Sequence, residues 1–138
     1  MHRRDWLLMI IGSYIEPIQV QKTLFKFASE ASVPATQQYR FEPYNWGPCS
    51  MQIYGDLAQL RRDRLVEFVP TGRGWSAYRL TDEGKQAVDR LRRRANAVLL
   101  SELDRIREWV TVRAFSKLLR DVYKEYPEYA KSSLFEGK

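Results

Sequence analysis

The sequence predicts a mainly α-helical fold with one β-hairpin, and three observations support this fold class. Apolar residues recur three and four positions apart over most of the chain, which is the spacing of the buried side of a helix. Between residues 65 and 80 this spacing gives way to the alternation that is typical of strands. The chain has 138 residues, 13% of them aromatic, so it is long enough for one sizeable core and too apolar to remain disordered.

The first two helices are predicted from apolar spacing near the N-terminus. Residues 3–15 carry large apolar side chains at helical intervals, which predicts a helix that packs on most of its circumference. After Pro17, a residue tolerated at a helix start, the same spacing predicts a second helix that ends near Glu30. Three polar side chains of this helix are expected to face the solvent, namely Gln21, Lys22 and Lys26.

The segment from Thr36 to Ser50 has a different character. Aromatic residues alternate with polar ones and predict a short strand, and the Pro and Gly residues that follow predict a rigid aromatic loop. These rings could stack on single-stranded bases, although rings beside a Gly-Pro turn more often form core and lid. The aromatic residues concerned are Tyr39, Phe41, Tyr44 and Trp46.

A third helix, a hairpin and a fourth helix are predicted in succession. Ser50 is a good N-cap for a helix that ends near Asp63. Two β-type runs, residues 65–69 and 75–80, flank a glycine-containing turn and predict the hairpin. Thr81 then caps a fourth helix, whose acidic first turn has the sign that the helix dipole favours.

Two further helices are predicted before Pro127, and the tail from Glu128 to Lys138 is expected to fray. We therefore expect a domain over residues 1–94 and a helical extension over residues 95–138, which either packs on the same core or forms a homodimer through residues 95–126. The dimer is expected because the extension carries more large side chains than a small domain needs to cover itself. These side chains are Trp109, Phe115, Tyr123 and Tyr126.

The predicted order of three helices, a hairpin and a fourth helix is typical of a winged helix-turn-helix. In that fold the third helix enters the major groove of DNA, and the hairpin, called the wing, flanks it. The stretch Leu80-Thr81-Asp82-Glu83-Gly84 resembles the Leu-Thr-x-x-Gly step that follows the wing in MarR-type regulators. This resemblance implies a DNA-binding regulator.

A longer resemblance covers residues 17–135 and implies a fold without a settled function. This part of the chain is similar to the YwgA-like group of small bacterial winged-helix proteins, in the hairpin and in Val20–Phe25, Tyr44–Ser50, Leu57, Leu60 and Tyr126–Ala130. The Gly47-Pro48 step before a helix also resembles the Panacea-type antitoxin domain. The likeness to Panacea implies a module that binds a protein partner.

Positive charge is concentrated in one quarter of the chain. Residues 61–94 hold ten Lys and Arg against five Asp and Glu, whereas the rest of the chain is nearly balanced. A basic surface favours a polyanionic partner, and we expect double-stranded DNA, with helix 50–63 in the major groove and the 70–76 wing in the minor groove. The candidate DNA-binding residues are Ser50, Gln52, Gln59, Arg61, Arg62, Arg64 and Arg73.

Several of these residues have competing interpretations. Gln52 and Gln59 could read adenine edges, or the third helix could present a solvated face on which Asp56 repels phosphate. Arg73, between two glycines, could enter a minor groove or could only close the hairpin. The arginines of the fourth helix are expected to form a solvated ridge paired with Asp89, and they are Arg90, Arg92, Arg93 and Arg94.

Other functions have less support in the sequence. One cysteine, Cys49, and one histidine, His2, are too few for a disulfide framework or a zinc site, and no catalytic or phosphate-binding motif is present. We expect neither an enzyme nor a cofactor, and a cytoplasmic chain without a membrane segment. The alternative function is a protein-interaction module, such as an antitoxin, defence accessory or adaptor, that does not bind DNA. An effector cavity is conceivable among Trp6, Tyr14, Trp46 and Trp109.

Overall fold

Six α-helices and two β-hairpins make up most of residues 1–136, which are the residues that this computed structural model describes. The helices are α1 (Arg3–Ile11), α2 (Pro17–Glu30), α3 (Met51–Arg62), α4 (Asp82–Arg94), α5 (Ala97–Thr111) and α6 (Phe115–Glu125). The strands are β1 (Glu42–Tyr44), β2 (Gly47–Cys49), β3 (Val66–Pro70) and β4 (Ser76–Leu80). Short 3₁₀ turns cover Ala35–Gln37 and Pro127–Tyr129. The mainly helical fold class is confirmed, but there is one hairpin more than predicted.

Helix α1 ends four residues earlier than predicted, at a glycine. Gly12 has a φ of +63°, outside helical geometry. The Arg107 guanidinium supplies donors to the last turn, with Nε 2.5 Å from the Ile10 carbonyl oxygen. Ile15 then pairs with Tyr78 of β4 through two backbone hydrogen bonds of 2.9 and 3.0 Å. Residues 12–15 therefore attach the β3–β4 hairpin to α1.

The predicted strand and aromatic loop form a complete hairpin. Strands β1 and β2 pair antiparallel, with Glu42 opposite Cys49 and Tyr44 opposite Gly47. Pro43 lies opposite Pro48, a position between the hydrogen-bonded pairs, so the missing N–H groups cost no ladder bond. The predicted strand was placed too early in the chain, because Tyr39 lies before β1 and is buried against α3.

Helix α2 is buried on two sides. All eight residues from Val20 to Phe27 are buried, so the expectation that Gln21, Lys22 and Lys26 face the solvent is wrong. The reason is that β2 and α5 pack on α2, and these elements come later in the chain. The Gln21 side chain exchanges two hydrogen bonds with the Ser50 backbone, of 2.8 and 3.0 Å, which satisfies its amide inside the protein.

The β3–β4 hairpin and α4 are held against the end of α3 by the Leu-Thr-x-x-Gly step. Thr81 caps α4 as predicted, accepting from the Gly84 N–H at 2.9 Å, and donates to the Arg64 carbonyl at 2.6 Å. A Cβ atom on Gly84 would lie 2.0 Å from the Leu65 carbonyl oxygen, so α4 can approach this closely only with glycine there. The capping of α4 therefore explains the threonine at position 81, and the close packing of α4 explains the glycine at position 84.

Helices α5 and α6 contribute to the same hydrophobic core as the preceding helices. Leu103, Ile106 and Val110 of α5 and Leu118 and Val122 of α6 are at most 1% exposed within it. Of the four large side chains expected to form a dimer contact, Phe115 alone is among the exposed large hydrophobic residues in the described part of the chain. The other three make contacts within the chain.

The C-terminal tail packs on the β1–β2 hairpin, contrary to the expected fraying. The Leu134 N–H donates to the Asn45 carbonyl at 2.8 Å, and the buried Ser133 hydroxyl accepts from the Tyr123 hydroxyl. Residues 137 and 138 of the predicted tail lie outside the described residues. Across residues 1–136, no helix has the length and apolar character needed to cross a bilayer.

Candidate functional site

The outer side of α3 carries a methionine, two small residues and one arginine. Ile53, Leu57 and Leu60 are buried, so at about 100° per residue the opposite side consists of Met51, Gly55, Ala58 and Arg62. Gln52 and Gln59 lie on one flank of this side. The centre of the predicted reading helix therefore offers few groups that could identify a base.

Asp56 does not lie on the outer side of α3. Its carboxylate accepts from Arg3 Nε at 3.0 Å and from the Tyr39 hydroxyl at 2.7 Å. Burial by itself raises the pKa of this carboxyl group, but the hydrogen bonds from Arg3 and Tyr39 outweigh it and lower the pKa below its ordinary value. The expected repulsion between Asp56 and a bound phosphate is therefore removed.

Of the three uncharged candidates, Ser50 is buried and the two glutamines are hydrogen-bonded within the protein. Ser50 is 1% exposed, which excludes the contact with DNA predicted for its side chain; it occupies the N-cap position of α3 but makes no capping hydrogen bond. Gln52 accepts from the Arg40 backbone N–H at 3.0 Å. Gln59 donates to Asp63 at 3.0 Å and accepts from Arg62 at 2.8 Å. The two glutamines would have to exchange these partners in order to read bases.

The tip of the β3–β4 hairpin is folded against α2. The Arg73 guanidinium donates to the Glu16 carboxylate and lies 4.9 Å from the centroid of the Trp75 ring. The Trp75 indole N–H approaches the same Glu16 oxygen at 3.4 Å. Arg73 is therefore paired, and it does not project from the tip as insertion into a minor groove requires.

Four of the ten basic residues between positions 61 and 94 have a carboxylate partner within 4.0 Å. The pairs are Arg73 with Glu16, Arg79 with Glu67, Lys85 with Asp82, and Arg92 with Asp104. Arg92 thus pairs across to α5, while Arg90, Arg93 and Arg94 are exposed as expected of a ridge; among residues 1–136 no ion pair within 4.0 Å joins Asp89 to them. The other six have no such partner among residues 1–136, and they are Arg61, Arg62, Arg64, Arg90, Arg93 and Arg94.

These six arginines form two groups, three at the end of α3 and three on α4, and Arg61 packs over the Phe68 ring at 4.6 Å from its centroid. A shallow cavity of about 510 Å³ is lined by Arg90, Arg93 and Arg94, by Arg4 and Asp5 of α1, and by Asp63 beside α3. We call this surface the basic face and define it as Arg4, Arg61, Arg62, Arg64, Arg90, Arg93 and Arg94, all of them exposed. Sequence reasoning missed Arg4, because its place beside α4 depends on the packing of α1.

A second and larger cavity, of about 740 Å³, opens at the other end of α3. It lies among the first turns of α2, α3 and α6 and the tips of both hairpins. Six of its lining residues are exposed by 42–67%, and they are Tyr44, Trp46, Met51, Tyr54, Trp75 and Phe115. We call this cavity the aromatic cavity. Such a concentration of exposed apolar surface is typical of a binding site.

Lys22 is a buried basic residue in the wall of the aromatic cavity. Lys22 is 2% exposed, and its Nζ donates to the Pro48 carbonyl at 2.9 Å. No carboxylate of residues 1–136 lies within 4.0 Å of it. Burial lowers the pKa of Lys22 to about 7, and it raises the pKa of the neighbouring Cys49 thiol.

The other charged residues that line the aromatic cavity have partners of opposite charge. Glu16 and Arg73 pair with each other, and Arg113 Nε donates to Asp121 at 2.8 Å while its guanidinium lies 3.7 Å from the Trp109 centroid. Lys22 is therefore the one charged wall residue, within the described chain, that lacks a counter-charge.

Of the four residues expected to surround an effector cavity, Trp46 alone lines the aromatic cavity. Trp6 is in the core, with its indole N–H bonded to Gln37, and Trp109 receives Lys26 Nζ at 4.0 Å from its centroid. Sequence reasoning missed Lys22, Tyr54 and Trp75. The aromatic character of the hairpin tips was a signal for Trp75, whereas Lys22 of α2 and Tyr54 of α3 gave none.

Comparison with models of protein families, with curated proteins and with solved structures gives no match for this chain. Its class is therefore the one that the fold defines, a mainly helical protein with two β-hairpins. Among residues 1–136, no three His, Cys, Asp or Glu side chains are grouped as metal ligands would be.

Proposed function

We propose that this protein binds double-stranded DNA, with the basic face on the phosphate backbone. The observation that carries the proposal is that seven exposed arginines, without carboxylate partners among residues 1–136, lie on α1, at the end of α3 and on α4, and that four of them line one cavity. The order of three helices, a hairpin and a helix is compatible with a winged helix, in which α3 faces the DNA. Gly55 and Ala58 on the outer side of α3 allow a close approach to a groove.

Contacts with phosphate dominate the expected binding. Arginine binds phosphate through two parallel N–H donors and keeps its charge at all physiological pH values. Each phosphate neutralised adds roughly 0.9 to the slope of log affinity against log salt concentration. Arg73 contributes only if it leaves Glu16, so we assign the hairpin tip a smaller role than the basic face.

The test compares two variants with equal loss of charge. One carries Arg90→Gln, Arg93→Gln and Arg94→Gln on the basic face; the control carries Arg120→Gln, Lys124→Gln and Lys131→Gln, exposed positions outside the basic face. Binding to a labelled duplex of about 20 base pairs is measured by fluorescence anisotropy from about 50 to 200 mM salt.

The basic-face variant is expected to lose about three units of salt slope, whereas the control keeps its slope within about one unit. Equal losses in the two variants would mean that net charge alone attracts DNA. Failure of the unmodified protein to bind duplex at about 50 mM salt would also overturn the proposal. It would favour a protein-interaction module.

A further inference from the structure

We propose that the aromatic cavity binds a small aromatic monocarboxylate whose carboxylate group pairs with Lys22. Three features of the cavity favour this ligand: a buried amino group without a counter-charge among residues 1–136, walls made of aromatic rings, and a volume suited to a small molecule. It does not depend on DNA binding.

The environment of Lys22 favours an anionic ligand. An ammonium group has three donors, and one of them is used by the Pro48 carbonyl at 2.9 Å. A buried charge without a partner is costly, and a carboxylate would supply both the missing acceptors and the opposite charge. A neutral ligand could satisfy the hydrogen bonds but would leave the charge uncompensated.

The walls of the cavity suit a planar aromatic body. The Trp46 and Phe115 rings meet edge to face at 5.6 Å between centroids, while Tyr54 and Trp75 line the cavity from α3 and the β3–β4 hairpin. Aromatic pairs stabilise a bound ring beyond the burial of its apolar area. The volume of about 740 Å³ falls within the range of small-molecule sites.

The remaining charges of the cavity limit the ligand to a single negative charge. Each arginine of the wall already has a carboxylate partner, Glu16 for Arg73 and Asp121 for Arg113, so Lys22 is the wall cation left to pair with an anion. A second anionic group would lie in the same cavity as the Glu16 carboxylate and would be repelled by it.

The first experiment compares 2-naphthoate with 2-naphthamide, which has the same shape and no charge. Quenching of tryptophan fluorescence reports binding, because Trp46 and Trp75 line the cavity. At about pH 6.5 naphthoate is expected to bind at least about ten-fold more tightly than naphthamide. The Lys22→Met variant should bind the two probes equally. The Lys124→Met variant, at an exposed position of α6, should keep the preference.

The pH dependence of the unmodified protein provides a second test, which does not require a variant to fold. Lys22 has a pKa of about 7, so the preference for naphthoate should fall as Lys22 loses its proton between about pH 6 and 8.5. Burial raises the pKa of the Cys49 thiol and of the Tyr54 and Tyr123 phenols near Lys22, which keeps all three neutral over this range. The other groups that line the cavity with it are Glu16, Tyr44, Arg73 and Arg113.

Two results would overturn the inference. The first is that naphthoate binds no more tightly than naphthamide to the unmodified protein at about pH 6.5, which includes the absence of binding by both probes. The second is that a folded Lys22→Met variant retains the preference, or that the preference in the unmodified protein is constant up to about pH 8.5. Either result would show that Lys22 does not receive the anion.

Discussion

Arg64 adopts a backbone conformation that glycine reaches at lower cost. Its φ is +62°, and the Leu65 N–H reaches the Leu60 carbonyl at 3.0 Å while the Arg64 N–H reaches the Arg61 carbonyl at 3.0 Å. This pair of hydrogen bonds is a Schellman motif, which usually places glycine at the left-handed position. The chain therefore keeps an arginine on the basic face at the expense of backbone strain.

The Arg64→Gly substitution is expected to stabilise the protein while weakening DNA binding. Relief of the left-handed strain should raise the free energy of unfolding by about 0.5–1 kcal/mol, measured by urea denaturation. The control is Arg62→Gly in the last helical turn, which should lower it by about 1 kcal/mol. A loss of stability in Arg64→Gly would show that its side chain contributes contacts that outweigh the strain.

The hydrogen bonds of Asp56 should make part of the free energy of unfolding depend on pH. Because its pKa in the folded protein lies below the ordinary value of 3.8, the carboxylate stabilises the fold fully above that value, and the contribution is lost as pH falls through the folded-state pKa. At about pH 7, Asp56→Asn should cost about 1–3 kcal/mol in urea unfolding.

The difference in free energy of unfolding between Asp56→Asn and the unmodified protein should shrink at the lowest pH at which both remain folded, because residue 56 is then uncharged in both. Asp89→Asn, at an exposed position of α4, provides the control and should change the free energy of unfolding by less than about 0.5 kcal/mol at pH near 7. If the loss of stability in Asp56→Asn is the same at all pH values, the charge of Asp56 does not contribute to it.

At the scale of elements, two glycines in helices have opposite roles. A Cβ on Gly84 would strike the Leu65 backbone, whereas no atom lies within 4 Å of a Cβ built on Gly55 of α3. Gly84→Ala is expected to destabilise the protein by about 1–3 kcal/mol, because α4 must move away from the β3 entry. Gly55→Ala should stabilise it by about 0.5–1 kcal/mol through helix propensity.

Thermal and urea unfolding of the two alanine variants measure this contrast directly. Equal effects would show that the close approach of α4 to Leu65 is not required. Gly55→Ala also adds a methyl group to the outer side of α3, so its effect on DNA binding reports how closely that side approaches the duplex.

Element boundaries were predictable where the signal is local. Pro17, Thr81 and the glycines of the β3–β4 turn define the ends of their elements through backbone chemistry, and the predicted positions of α2, α3 and α4 agree with the structure. The buried polar side of α2 could not be predicted in the same way. Its partners are distant in sequence, as the ion pair between Lys26 and Glu125 at 2.8 Å illustrates.

The two candidate sites also differ in how far the sequence predicts them, because one shows in local composition and the other depends on contacts between distant residues. The surplus of arginine between residues 61 and 94 is visible in the composition, although pairing removes Arg73 and Arg92 from the basic face. The aromatic cavity takes its walls from five separate elements, and no spacing along the chain connects Lys22 with Phe115. Helix α3 joins the two sites, with the aromatic cavity at its first turn and the basic face at its last.

At the scale of the whole molecule, residues 95–136 complete the core that the first 94 residues begin. Six apolar side chains from this part are at most 1% exposed, and they are Leu103, Ile106, Val110, Leu118, Leu119 and Val122. Burial of each is worth roughly 1.5–3 kcal/mol, so their sum is on the order of 10 kcal/mol, comparable with the whole stability of a typical domain.

A fragment of residues 1–94 is therefore expected not to fold by itself. Its urea titration, followed by near-ultraviolet circular dichroism of the aromatic residues, should lack a cooperative transition, while the full chain should unfold in one step at the same midpoint by near- and far-ultraviolet signals. Removal of the extension would also expose Lys26 together with the apolar residues around it on α2. Cooperative unfolding of the fragment would mean instead that residues 1–94 are an independent domain, with the later helices as an added layer.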